Sequence, residues 1–291
     1  MSIIDDIRNT FKLKHNGLNR LILFNVIIFV LVNVTDHLLR LSGTLFQLED
    51  LLALPPQFHV FMERMWTLFT YMFIHAGIFH IFFNMLWLYT VGNIFSELIG
   101  SKQLVGTYLL GGLSGGILYL LVSGFFPNPY MGSGLVGASA GVMAIVIAAA
   151  FRAPDLILQV FIIGPVRLKY IALVSFILYS VIDITSNMGG KIAHIGGAAF
   201  GLLFAVQYKK GNDLTRGITG ILDMFSNIAA SRTSRNVKVA YKRPVSDEHY
   251  NDVKVEEQKK VNAILDKISR SGYDSLSKEE KDFLFKASGK M

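Results

Sequence analysis

Apolar runs of membrane-spanning length constrain this chain more than any other feature. They extend roughly from Leu21 to Leu39, Ile78 to Phe95, Leu104 to Phe126, Ser139 to Phe151, Tyr170 to Ile184 and Ala193 to Tyr208. A helix apolar on every side has no water-facing surface, so it must be solvated by other helices or by lipid. Hydrophobic residues make up 52% of the chain and charged residues 17%, and the mean hydropathy is +0.45. These values place the first two-thirds of the chain outside the range of soluble domains. The expected fold is an all-α polytopic membrane protein with about six spans.

Charge placement predicts its orientation. Arg8, Lys12, Lys14 and Arg20 precede the first run, which has no small-residue cleavage site, so it reads as a span rather than a removable signal. With the amino terminus inside, Lys102, Arg152, Arg167, Lys169, Lys209, Lys210 and Arg216 all fall on the inner side. Only Arg40, Arg64 and Lys191 fall outside. The chain has no cysteine, which removes disulfide and thiolate chemistry.

Four segments follow: an inner amino-terminal stretch (1–17), a membrane core (18–208), a basic linker (209–250) and a small helical hairpin (251–291). Within the core, residues 41–77 form a long outer loop whose Trp66, Phe69, Tyr71 and Phe73 suggest an interfacial position. Residues 154–166, with Pro154 and Gly164-Pro165, are expected to be an irregular inner connection. In the linker, Leu214, Ile218, Ile221, Leu222, Phe225 and Ile228 recur at helical spacing before Arg232, Arg235, Lys238, Lys242 and Arg243. That pattern fits either a helix on an anionic inner leaflet or a frayed basic linker, and Gly217 and Gly220 weigh against the helix. In the hairpin, Val255, Val261, Ile264, Leu265 and Ile268 mark one helix ended by Gly272. Ser277 and Glu280 resemble a capping box opening a second helix with Phe283 and Leu284 inward.

The fourth run is the shortest. At about 13 residues it reaches roughly 20 Å, against a hydrocarbon core of about 30 Å. The segment 128–134 must therefore enter the membrane from outside as irregular backbone, which is tolerated only beside protein or a water-filled cavity. Ser139, at the mouth of this helix, would sit at the floor of a wet pocket. His194, at the outer mouth of the sixth span, is a base suited to accept its proton. Asp183 could in principle orient that histidine, but a two-residue dyad is simpler. His80 and Asn84 are four apart on one helical face and can aim two donors at one oxygen, with His75 in the loop before them. A helix amino terminus at Ser139 adds backbone N–H groups.

Taken singly, each of these residues has a plainer reading. A serine in a Gly/Ala-rich span is usually a packing residue, and a lone histidine is usually a satisfied polar group. Together and in this order they favour nucleophilic catalysis. Gly197 and Gly201 are expected to be packing positions that bring the sixth span against the fourth.

Trp66 in the outer loop, His75-x4-His80-x3-Asn84, Gly137-x-Ser139, and Ala193-His194-x2-Gly197-x3-Gly201 resemble the rhomboid intramembrane proteases over roughly residues 18–208. The resemblance implies a six-span bundle, a Ser139–His194 dyad, and an oxyanion site of His80, Asn84 and the Ser139 N–H. It also implies a substrate transmembrane helix arriving past the second and fifth spans, with no cofactor, no metal and no nucleic-acid partner. Two departures stand out. Trp66 is followed by Thr67 where the family has arginine, and Met143 stands where many bacterial members carry a tyrosine that stacks on the histidine. The expected activity is serine endopeptidase cleavage of transmembrane helices near the outer face, in a bacterial inner membrane with both termini cytoplasmic. An inactive relative that binds transmembrane helices is the alternative. A metal-ion transporter using His75, His80 and His194 is less well supported, because no cysteine or intramembrane carboxylate accompanies them.

Overall fold

The computed structural model describes residues 17–126, 134–160, 163–181, 187–231 and 247–288. The helices, in chain order, are α1 (Gly17–Leu41), α2 (Leu48–Leu52), α3 (Phe58–Glu63), α4 (Thr67–Thr70), α5 (Ile78–Leu98) and α6 (Ser101–Phe125). They continue with α7 (Ser139–Arg152), α8 (Leu168–Ser180), α9 (Met188–Lys209), α10 (Arg216–Ser231), α11 (Asp247–Ser271) and α12 (Lys278–Ser288). Among the described residues four, α1, α5, α6 and α9, are long and apolar enough to cross a bilayer. The apolar helices α7 and α8 have only 14 and 13 residues, or about 20 Å each. The chain is a multi-pass helical membrane protein. The segment 128–133 and Asp183 lie outside the described residues.

Helices α6, α7 and α9 form the centre, and small residues set their spacing. A Cβ on Gly197 or Gly201 would overlap the carbonyl oxygens of Ala140 and Ala144 on α7. A Cβ on Gly115 of α6 would come within 2.6 Å of the Ala140 Cβ and 2.7 Å of the Ala193 oxygen. Without side chains in the way, the backbones touch and dispersion over the whole contact replaces the hydrophobic drive that lipid cannot supply. The outward faces of α1, α5 and α8 carry exposed Leu31, Phe79, Phe82, Leu173 and Leu178, as a lipid-facing surface requires.

The loop 41–77 holds three short helices and a 3-10 turn (Tyr71–Phe73). Buried Asp36 of α1 closes the open amino end of α2, accepting from the N–H groups of Leu48 (2.5 Å) and Glu49 (3.3 Å). Trp66 Nε1 donates to the Leu51 carbonyl at 2.9 Å, and the Tyr71 hydroxyl donates to the Gly112 carbonyl of α6 at 2.6 Å. Asp36→Ala is expected to cost about 1–2 kcal/mol, the usual loss for a helix cap. It should lower the thermal midpoint in detergent and speed proteolysis of the loop, and an unchanged midpoint would show that the cap is dispensable.

The connection expected to be irregular is instead an antiparallel hairpin, β1 (Ile157–Val160) and β2 (Gly164–Arg167), with Ile157 opposite Arg167 and Val160 opposite Gly164. Ile157, Val160 and Val166 favour extended backbone, and Pro165 is tolerated because a two-stranded ribbon is all edge. Asp155 ties its base to Lys169 (2.7 Å) and Arg167 (3.3 Å). The helix weighed against by Gly217 and Gly220 also forms, as α10.

Residues Ala230–Met291 make a separate compact unit. Its α11 ends at Gly272, whose φ of +78° suits glycine. The Ser277 N–H donates to Glu280 (2.8 Å) and the Glu280 N–H to the Ser277 hydroxyl (3.2 Å), a reciprocal capping box. Hydrogen bonds from Lys267 and the Ser277 N–H hold the Glu280 carboxyl below its usual range. Ile264 is buried, but Val255 and Leu265, expected to share its inward face, are 52% and 49% exposed.

Candidate active site

The approach to Ser139 is fixed from both sides. Leu54 and Leu135 exchange backbone hydrogen bonds (3.0 and 2.8 Å), and the Gly137 N–H donates to the Tyr71 carbonyl at 3.0 Å. The loop 41–77 therefore sets where the chain turns into α7. Gly137 makes that turn at φ +128°, a conformation L side chains rarely adopt. A Cβ there would lie 2.8 Å from His80 Nε2 and 3.5 Å from Ser139 Oγ. Glycine thus serves the backbone turn and leaves room for two polar side chains to converge.

Ser139 Oγ lies 2.7 Å from His194 Nε2 across the α7–α9 contact. His194 Nδ1 lies 2.8 Å from the carbonyl oxygen of Tyr179 in the last turn of α8. A carbonyl only accepts, so Nδ1 carries the proton and the Nε2 lone pair faces the serine hydroxyl. The Tyr179 ring also meets the imidazole edge-on at 6.2 Å. His194 is 8% exposed, so its orientation comes from these partners rather than from water.

A cavity of about 340 Å³ opens over the pair, bounded by Ser139, His194, His80, Asn84 and Met143. The Ala76 N–H approaches His80 Nδ1 at 3.4 Å, which leaves Nε2–H as that ring's donor. Asn84 Nδ2 gives one hydrogen to the His80 carbonyl at 2.8 Å and keeps a second. Phe79, Phe83 and Trp87 extend the same α5 face as apolar wall. The first turn of α9 is capped by Asn187, whose side chain accepts from the Gly190 N–H at 3.2 Å.

Of the residues singled out from sequence, Ser139, His194, His80, Asn84 and Gly137 come together, and Met143 lines the same cavity. Met143 stands in the wall, and the polar contact on the imidazole comes from Tyr179. His75 is buried and edge-on to His80 at 5.2 Å, outside the cavity lining. Trp66 stays with the loop 41–77, and Gly197 and Gly201 lie in the α7–α9 contact. The Tyr179 carbonyl left no trace in the sequence, because any residue presents one. Phe79, Phe83 and Trp87 did, at helical spacing with His80 and Asn84. No three His, Asp or Glu side chains gather as metal ligands among the described residues.

A model of the rhomboid domain matches residues 62–210, just over half of the chain. The chain belongs to the rhomboid family. Similar relatives include RHOMBOID-like protein 12, mitochondrial, of Arabidopsis thaliana, 29% identical over 66% of this chain and 58% of its own length. Rhomboid protease GluP of Bacillus subtilis (strain 168) is 27% identical over 64% of this chain and 36% of its own. RHOMBOID-like protein 1 of Arabidopsis thaliana is 27% identical over 55% and 39%. The matched part of the chain thus spans less than two-thirds of the length of each of these relatives. Residues 246–290 match a separate family of unknown function (DUF6576).

Proposed function

We propose that this rhomboid is an active intramembrane serine endopeptidase, with Ser139 as nucleophile and His194 as general base. The observation that carries the reading is the 2.7 Å Ser139 Oγ–His194 Nε2 hydrogen bond at the floor of a cavity. A packing serine has no need of a base on another helix, held in the acceptor tautomer by a third group. The name of the Bacillus relative, a rhomboid protease, points the same way.

In the proposed cycle a substrate helix enters beside α5 and α8, and its outer end unwinds so that one peptide carbonyl reaches the cavity. Weak helix formers near the cut and a small residue before it favour that step. Ser139 Oγ attacks as its proton passes to His194 Nε2. The oxyanion forms beside His80 Nε2–H, Asn84 Nδ2–H and the Ser139 N–H, donors positioned before charge develops. His194 then protonates the leaving amine, and water admitted from outside hydrolyses the acyl-enzyme with the same base. The cavity opens at the outer face, with the amino terminus and the 230–291 unit cytoplasmic, as in a bacterial inner membrane. The carboxy-terminal unit is an accessory to the reaction.

Cleavage of a model single-span substrate in liposomes tests this reading. His80→Ala and Asn84→Ala are each expected to lower kcat by about 10²–10³, the cost of one oxyanion donor, with KM little changed. Unchanged rates in both variants would remove them from the chemistry.

A further inference from the structure

Helix α10 falls between the two family matches, which end at 210 and resume at 246, and the proposed reaction makes no use of it. It is fastened to the inner end of α6 by three contacts in succession. Thr215, fully buried, fills the notch left by Gly106, where a Cβ would come within 2.5 Å of it. Gln103 Nε2 donates to Asp213 at 3.2 Å, and Asp213 in turn accepts from the Thr215 N–H (2.8 Å) and hydroxyl (2.6 Å), closing the start of the helix. Lys102 pairs with Asp223 at 2.8 Å. The neighbouring Ser101 hydroxyl receives the Gly17 N–H at 2.8 Å, which marks this as the level where α1 begins.

Through Thr215, α10 starts beside the second turn of a membrane-crossing helix, where acyl chains give way to headgroups. Ile218 packs on the bundle, yet Ile221 is 54% exposed and Leu222 41%. Arg216, Gly220 and Asp223 occupy the opposite side by helical phase. The sequence continues with Arg232, Arg235, Lys238, Lys242 and Arg243, cations that suit an anionic headgroup layer.

We propose that α10 is a surface-inserted helix that binds the lipid of the leaflet opposite the catalytic cavity, with Ile221 and Leu222 among the acyl chains and Arg216 at the headgroups. Thr215 sits against Gly106 in the second turn of a membrane-length helix, which puts the apolar face beside it at bilayer depth and singles out lipid over a soluble protein as its occupant. Such a helix clamps the inner end of α6 to the leaflet.

The chain has no cysteine, so single-cysteine variants of the full protein can carry nitroxides with no background. In nanodiscs of mixed phosphatidylcholine and phosphatidylglycerol, labels at Ile221 and Leu222 should collide several-fold more with oxygen than with a water-soluble nickel chelate. Labels at Arg216 and Gly220 should do the reverse. Chelate access at all four positions would mean a solvated helix, and shielding of 221 and 222 from both agents would mean a protein cover. Either outcome overturns the proposal. Should a label disturb folding, the reaction rate of the unlabelled cysteine variants with a charged maleimide reads the same contrast.

Discussion

Replacing Ser139 by alanine is expected to abolish both covalent labelling by a fluorophosphonate probe and cleavage of a transmembrane substrate, with a loss on the order of 10⁴–10⁶ in kcat. His194→Ala should do nearly the same. Serine is a poor nucleophile at neutral pH, and here the Nε2 lone pair at 2.7 Å is the acceptor for its proton. The two side chains act as a unit, so the double variant should be no worse than either single one. Both are truncations within a folded bundle, and thermal midpoints near wild type should accompany the lost activity. Labelling that survives in Ser139→Ala would place the nucleophile elsewhere. Folded wild type that neither labels nor cuts would favour the inactive rhomboid-like alternative.

The second large effect is expected at the contact between α7 and α9. Gly201→Ala and Gly197→Ala place a methyl group on the carbonyl oxygens of Ala144 and Ala140. Flexible side chains can yield to an added methyl, but a helix backbone cannot do so without moving its whole length. Overpacking of this kind costs roughly 3 kcal/mol or more. It should appear as a large fall in the detergent unfolding midpoint, greater for valine than for alanine. Catalysis should fall even in any fraction that folds, because moving α9 by about 1 Å pulls His194 off Ser139 and misplacement of that size costs on the order of 10². Gly217→Ala is the control, since a Cβ there meets nothing within 4 Å. A Gly201→Ala protein as stable as this control would mean that α7 and α9 have room to separate.

The contrast between these two sets of residues explains what could be read in advance. Hydropathy marked where helices cross, and the short run from Ser139 stands as a 14-residue helix. The capping box at Ser277 was equally legible, because a cap is a local contact between residues three apart. The pairing of 157–160 with 164–167 is not legible from Pro154 and Gly164-Pro165, which point only to an irregular connection. Turn residues mark where a chain bends, and whether the flanking backbones then pair depends on register.

The same division holds at the candidate site. Sequence alone determined the residue types and the helices that carry them: a hydroxyl, an imidazole and two further donors, set among residues too small to screen them. The tertiary structure alone decided that Ser139 and His194, 55 positions apart, meet at 2.7 Å. It also decided that the Tyr179 carbonyl, rather than a carboxylate, holds the imidazole. Apolar character and helical spacing are properties of neighbouring residues. A hydrogen bond between helices depends instead on how closely their backbones approach, and that follows from shape at every contact along α6, α7 and α9.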